Sequence, residues 1–132
     1  MPTQTFINLP VKDVAKSVEF FATLGFGFQP VSEQTTRMLI SEATSVMLTV
    51  ESEFETYTGQ PVTDLSQSRE VLVGLSAESR EYVDAQVSHA LAAGGTLVGE
   101  QDQGPMYMKA FRDLDGHQWS FIWMDPAVAG PR

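Results

Sequence analysis

The order of the predicted secondary-structure elements repeats once along the chain, and this repeat limits the possible folds more than any other feature. Each half is predicted to contain a strand, a helix and then three further strands, over about residues 5–51 and 70–124. A duplicated unit of this size is typical of a supersecondary module, so we expect two equivalent modules of mixed α+β structure. A generic α+β sandwich with accidental repetition is the alternative.

The first half of the repeat combines a strand pattern with a helix pattern. A strand is predicted over Thr5–Val11, and Asp13 follows at the N-cap position of a helix. Apolar side chains then recur every three or four residues, as on the buried face of a helix, until Gly25. Three more strands are predicted over residues 26–31, 37–41 and 45–50.

The second half repeats this order after a polar linker over residues 52–69, in which a short helix is predicted over 53–57. A strand over 70–76 is followed by a helix over 79–93, which ends at Gly94. Strands are then predicted over 96–98, 106–112 and 118–124, with turn residues at 113–116 before the last of them. The tail at 126–132 carries no pattern, and we expect it to be frayed.

The composition excludes several classes of protein. The chain has 132 residues with 17 acidic and 8 basic side chains, and a net charge of −9 repels nucleic acid. No run approaches the roughly 18 apolar residues of a membrane span, so no membrane partner is expected. The absence of cysteine excludes disulfides and thiolate sites. Together with an N-terminus that lacks the pattern of a signal peptide, it favours a cytoplasmic location.

Two groups of residues resemble those of a known superfamily. NLPVKDV at 8–14, SVEFF at 17–21 and LGF at 24–26 resemble its opening strand and helix, and DLDGHQW at 113–119 resembles its closing turn and strand. This is the glyoxalase/bleomycin resistance/extradiol dioxygenase (vicinal oxygen chelate) superfamily, and the resemblance is greatest to a bacterial glyoxalase-like subgroup of predicted lactoylglutathione lyases. It implies one domain over 1–132, with two βαβββ modules forming an open half-barrel around an internal cleft and the helices outside.

The resemblance also implies where a metal would bind. Enzymes of the superfamily hold one divalent cation with His or Glu side chains from the first and fourth strands of each module. These positions fall at Phe6, at about Leu48, at Leu72 and at Ser120, and none of the four is His or Glu. Three of these side chains offer no donor atom, and a serine hydroxyl is a poor ligand for a divalent cation. We therefore expect no metal and no cofactor.

The histidines do not replace the missing ligands. His89 is predicted on the solvent side of the second helix, and His117 follows a turn, where one local hydrogen bond is the favoured interpretation. Neither stands in a metal-binding spacing.

Strand alternation predicts which other side chains line the cleft. Asn8 shares a face with Phe6, Ser76 shares one with Leu72, and Gln118 shares one with Ser120, while Val46 and Val50 accompany Leu48. The candidate cleft residues are Phe6, Asn8, Leu48, Leu72, Ser76, Gln118 and Ser120. A mostly apolar lining with a few polar groups is typical of a small-molecule pocket, although a filled core has the same composition.

Three further sets of residues each allow two interpretations. The strand methionines are either core filler or an adaptable pocket lining, and the basic strand residues are either surface charges or anion ligands. The acidic run is either a solvated loop or the rim of a cleft that admits cations. The strand methionines are Met38, Met47, Met106, Met108 and Met124. The basic strand residues are Arg37, Lys109 and Arg112, and the acidic run is Glu51, Glu53 and Glu55.

Three functions are consistent with these patterns. The first is binding of a small molecule in the cleft without a metal. The second is an enzyme of lyase, isomerase or dioxygenase type, with a displaced metal or metal-free chemistry. The third is a structural or interaction role with a filled barrel. We also expect a homodimer, because members of the superfamily often pair modules across subunits and thereby cover open sheet edges.

Overall fold

The computed structural model describes residues 3–129, and within them the order strand, helix, strand, strand, strand occurs twice. The chain divides into two units, Met1–Asp64 and Leu65–Arg132, with one copy of this order in each. The prediction of two βαβββ modules of α+β structure is therefore confirmed. The first copy comprises β1 (Thr5–Val11), α1 (Val14–Ala22), β2 (Gly27–Pro30), β3 (Thr35–Leu39) and β4 (Thr44–Val50). Helix α2 (Glu51–Thr58) follows in the same unit.

In the first unit, the four strands form a sheet in the order β1-β4-β3-β2. Strands β1 and β4 run parallel, and the other two pairs are antiparallel. Asp13 caps the N-terminus of helix α1, and its carboxylate accepts a hydrogen bond of 3.1 Å from the backbone N–H of Lys16, so the predicted N-cap is confirmed. On α1, Phe20 and Phe21 are buried in edge-to-face contact.

The second unit contains β5 (Leu72–Ser76), α3 (Arg80–Ala92), β6 (Thr96–Asp102), β7 (Met106–Arg112), β8 (Gln118–Met124) and α4 (Pro126–Ala129). Its sheet has the order β5-β8-β7-β6, again with the first pair parallel. Helix α3 is capped by the Ser79 hydroxyl, which accepts from the backbone N–H of Tyr82 at 3.0 Å. After α3 the chain turns at Gly94, whose φ of +109° lies in the left-handed region.

The core of the second unit lies on the side of the sheet that α3 covers. Trp119, Phe111 and Phe121 are almost completely buried there, and the last two rings are stacked with centroids 6.2 Å apart. The predicted strand alternation therefore holds for β8, since every second residue enters this core.

Several element boundaries differ from the prediction. Helix α2 extends beyond the predicted 53–57, because Glu51 and Glu53 occupy its first turn, where carboxylates favour the helix, and Gly59 at φ +72° ends it. Strand β6 extends to Asp102 although its sequence is polar, because pairing with β7 overrides local propensity. The tail is helical over Pro126–Ala129, and the rest of the predicted frayed segment lies outside the described residues.

Within the described residues, no helix combines the length and the apolar character required to cross a bilayer.

Candidate functional site

The strand register divides the first sheet into two faces. Residues paired across neighbouring strands lie on the same face, and so do alternate residues along one strand. The face that carries Phe6 mixes aromatic, aliphatic and polar side chains, and we call it the Phe6 face. Its members are Phe6, Asn8, Pro10, Gln29, Thr35, Arg37, Leu39, Ser45, Met47 and Thr49.

The structure places Leu48 on the opposite face of this sheet, and the prediction that it accompanies Phe6 is wrong. Leu48 pairs with Leu9 in the parallel β1–β4 ladder and is 0% exposed. Val46 and Val50 alternate with it and lie on the same face as Leu48. The residue of β4 that pairs with Asn8 is Met47, one position earlier than predicted. A slip of one residue exchanges the two faces of a strand, and burial of the branched side chains decides the register.

In the second sheet, the face opposite α3 carries the remaining candidate residues. We call it the Leu72 face. It brings together Leu72, Ser76, Gln118 and Ser120, as alternation predicts, and also three methionines and one arginine that the candidate set omitted. Its members are Leu72, Gly74, Ser76, Met106, Met108, Ala110, Arg112, Gln118, Ser120, Ile122 and Met124.

Both faces leave large apolar side chains accessible. Phe6 is 48% exposed on the first sheet, and Leu72 is 64% exposed on the second. Asn8 and Ser76, which alternate with them along β1 and β5, are also exposed. Each face therefore offers apolar surface beside groups that form hydrogen bonds, the combination that small-molecule sites use.

The structure separates the two interpretations of the methionines. Met38 is fully buried on the Leu9 side of the first sheet and is core filler. Met47, Met106 and Met108 are half-buried on the Phe6 and Leu72 faces, and Met124 is 38% exposed. Flexible thioethers at such positions adapt to ligands of varied shape.

The three basic strand residues also have different surroundings. Lys109 lies on the α3 side of its sheet, where its ammonium group is 2.9 Å from the carboxylate of Asp84. The Tyr107 hydroxyl donates a hydrogen bond of 2.6 Å to the same carboxylate. This hydrogen bond and the Lys109 ammonium lower the pKa of Asp84, and Asp84 in turn raises the pKa of Tyr107 and of Lys109. Lys109 therefore ties α3 to β7. Arg112 is exposed on the Leu72 face.

Arg37 is the basic residue of the Phe6 face, and neutral groups hold its guanidinium in place. Its Nε donates a hydrogen bond of 2.8 Å to the Ser45 hydroxyl, and Nη1 donates one of 3.4 Å to the side-chain oxygen of Gln29. The guanidinium carbon lies 5.3 Å from the centroid of the Phe6 ring, within the range of a cation–π contact.

The donor set of the four metal positions does not fit a divalent cation. Phe6 and Leu72 present hydrocarbon, Ser120 presents one hydroxyl, and exchanging Leu48 for Met47 adds only a thioether. Hard and borderline cations require several carboxylate or imidazole donors. Among residues 3–129, no three His, Cys, Asp or Glu side chains come together in a group that could hold a metal ion.

The predicted solvent exposure of His89 is confirmed, and the predicted local hydrogen bond of the His117 side chain stays a prediction. His89 is exposed on α3. His117 is half-buried after the turn, and its backbone N–H donates a hydrogen bond of 3.0 Å to the carboxylate of Asp113.

Solved structures share this fold. A hypothetical protein from Staphylococcus aureus, SA1046, is 26% identical over 93% of each chain, with a TM-score of 0.79. A glyoxalase-related enzyme from Fulvimarina pelagi is 17% identical over 93% of this chain and 88% of its own, with a TM-score of 0.80. An antibiotic binding protein, TnmS3, from Streptomyces sp. CB03234 is 19% identical over 94% of this chain and 97% of its own, with a TM-score of 0.65.

No protein of curated function matches the sequence. The family model described as glyoxalase/bleomycin resistance protein/dioxygenase superfamily matches residues 3–121, which include both βαβββ copies. The resemblance of the opening and closing motifs is thereby confirmed over most of the chain. The protein belongs to the glyoxalase/bleomycin resistance protein/dioxygenase superfamily.

Proposed function

We propose that this protein binds a small organic molecule without a metal, through the Phe6 face or the Leu72 face of its sheets. The observation that carries the proposal is the accessible apolar surface at Phe6 and Leu72, beside the polar groups of Asn8 and Ser76. Burying such surface against a ligand releases about 25 cal/mol per Å² of apolar area. The neighbouring hydroxyl and amide groups would orient the ligand.

The use of this fold by a relative supports the proposal. TnmS3, which shares the fold, is described as an antibiotic binding protein. A role of the same general kind is supported by the side chains of Phe6, Leu72 and Ser120, which do not supply the ligands that a metal-dependent member of the superfamily requires.

Thermal-shift measurements with a broad compound panel test the binding function directly. A ligand that binds only the folded protein raises the melting temperature in a concentration-dependent manner. We expect such shifts with compounds that combine a ring system with one or two polar groups. A panel that leaves the melting temperature unchanged throughout would contradict the proposed function.

An enzyme of the superfamily, with a displaced metal or metal-free chemistry, is the competing function. Elemental analysis of protein purified without a chelator or a histidine tag separates the two. Stoichiometric zinc, nickel, iron or manganese would favour the enzyme, and a ligand retained by metal-free protein in native mass spectrometry would favour the binder.

We also propose a homodimer as the assembled form. The sheet order makes β1 and β5 edge strands of their sheets. Open edges are commonly covered by pairing with another chain. Sedimentation velocity is expected to give the mass of two chains, and the mass of one chain alone would contradict the dimer. A cytoplasmic location stays a prediction.

A further inference from the structure

We infer that Arg37 makes the Phe6 face a receptor for organic monoanions: a carboxylate or sulfonate joined to an apolar ring or chain. The inference rests on the proposed binding function and names the chemical class of its ligand.

The charge balance around Arg37 differs from that around Arg80 and Lys109. The chain carries 17 acidic side chains against 8 basic ones, so an arginine has many possible carboxylate partners. Other cations use them, since Arg80 pairs with Asp102 and Lys109 pairs with Asp84. Arg37, by contrast, forms no ion pair within the described part of the chain. Its positive charge is therefore not compensated by a fixed neighbour.

Neutral side chains orient the guanidinium of Arg37. Ser45 occupies the Nε–H, and Gln29 takes a single N–H of Nη1 through a long contact. Nη2 donates no hydrogen bond to any residue that the structure describes. Because Ser45 occupies Nε, the edge formed by Nη1 and Nη2 is the one that can bind a carboxylate or sulfonate through two parallel hydrogen bonds. Because neutral groups already fix the side chain, less conformational entropy is lost when an anion binds.

The side chains next to this edge are largely apolar. Phe6 is exposed and its ring lies against the guanidinium, while Met47 pairs with Arg37 across the ladder and is half-buried. Leu39 alternates with Arg37 along β3 and is also half-buried. An anion at Arg37 would therefore place the rest of its molecule against hydrocarbon and a thioether. The net charge of −9 disfavours ligands with several negative charges.

A matched pair of fluorescent probes tests the inference. 8-Anilinonaphthalene-1-sulfonate carries one sulfonate, and N-phenyl-1-naphthylamine has the same ring system without it. The native protein is expected to bind the sulfonate at least about tenfold more tightly than the neutral probe, as a charge-assisted hydrogen bond implies. This preference is expected to shrink in about 0.5 M sodium chloride, because salt screens the guanidinium.

Variants locate the effect at Arg37. Arg37→Gln is expected to lower the affinity for the sulfonate probe about tenfold and to change the affinity for the neutral probe by no more than about twofold. Arg37→Lys is expected to lose part of the affinity for the sulfonate probe, because an ammonium lacks the planar set of donors of a guanidinium. Lys16→Gln, on the exposed side of α1, also removes one positive charge and is expected to change the affinity for neither probe. Unfolding curves of each variant show whether it is folded, and the comparison of the two probes on native protein needs no variant.

Four results of these binding measurements would contradict the inference or the proposed function. Equal affinity of the native protein for both probes, or an Arg37→Gln variant that matches Lys16→Gln, would overturn the inference and leave the binding function standing. The inference also fails if neither probe binds while neutral compounds of the panel do. If no compound binds at all, the proposed function itself is wrong.

Discussion

The indole nitrogen of Trp119 donates a hydrogen bond of 2.9 Å to the carboxylate of Asp113, and this contact connects the turn before β8 to the core of the second unit. The other carboxylate oxygen accepts backbone N–H groups from Asp115 and His117, at 2.9 and 3.0 Å. Burial raises the pKa of Asp113, and the charge of His117 and the hydrogen bond from Trp119 oppose that rise. One buried side chain thus fixes both the turn and the start of the strand.

Replacing Asp113 is expected to destabilise the protein. Asp113→Ala removes the carboxylate to which three N–H groups donate and is expected to cost about 4 kcal/mol, whereas Asp113→Asn retains one oxygen and is expected to cost about 2 kcal/mol. Urea unfolding measured by tryptophan fluorescence gives both values. Glu100→Gln, an exposed carboxylate on β6, is the control and is expected to change the free energy of unfolding by less than about 0.5 kcal/mol. The assignment fails if Asp113→Ala costs no more than this control.

The β8 face was predicted well and the β4 face badly, because the β4 face was anchored on the position at about Leu48 that the superfamily resemblance implies for a metal ligand. Between Gln118 and Met124, the aromatic residues occupy only every second position, so one register alone buries them. Strand β4 has the sequence TSVMLTV, in which Met47 and Leu48 are adjacent apolar residues. Val46 and Leu48 are both 0% exposed, and the register in which Leu48 pairs with Leu9 buries them together. An anchor one residue off therefore assigns Leu48 instead of Met47 to the Phe6 face.

The surroundings of Arg37 could not be predicted from the sequence at all. Its partners Gln29 and Ser45 lie on two different strands, and Phe6 comes from a third. Only the folded sheet brings these four side chains together, because strand order and register are set by long-range pairing. The extension of β6 along β7 has the same origin.

The two helix N-caps provide a comparison between the modules. The Asp13 carboxylate and the Ser79 hydroxyl each accept a hydrogen bond from the backbone N–H three residues later in the chain, at 3.1 and 3.0 Å. Asp13→Ala and Ser79→Ala are each expected to lower the free energy of unfolding by about 1 kcal/mol. Asp13→Ser and Ser79→Asp keep an acceptor and are expected to retain most of it, as chemical denaturation would show. Equal losses in the alanine and cap-preserving variants would mean that the cap bond contributes nothing.

Treatment with a chelator is expected to leave the melting temperature unchanged, because the side chains at Phe6, Leu72 and Ser120 do not fit a divalent cation. Dialysis against EDTA is expected to shift the melting temperature by no more than EDTA preloaded with calcium does. A loss of stability that one equivalent of zinc, nickel or manganese restores would show that a site exists outside the positions considered.

Acidic pH is expected to weaken the contact between α3 and β7. The hydrogen bond from Tyr107 and the charge of Lys109 lower the pKa of Asp84 below its ordinary value of 3.8. The stabilisation is therefore present above that value and is lost as the pH falls through the lower pKa of the folded state. At neutral pH, Asp84→Asn is expected to cost about 1 kcal/mol or less, because the Asp84 side chain is half-exposed and water screens the pair.

The difference in unfolding free energy between native protein and Asp84→Asn should therefore begin to close as the pH falls below 3.8 and should go on closing through the lower folded-state pKa, in urea titrations between about pH 2 and pH 7. Tyr107→Phe removes the hydrogen bond that lowers the pKa of Asp84 most. In this variant, the pH at which the free-energy difference closes should move toward the ordinary value of 3.8. Glu78→Gln, an exposed carboxylate before α3, serves as the control and should show no comparable pH-dependent difference. If the Asp84→Asn difference persisted unchanged at acidic pH, the carboxylate charge would not be what holds α3 to β7, and the 2.6 Å contact with Tyr107 would act only as a neutral hydrogen bond.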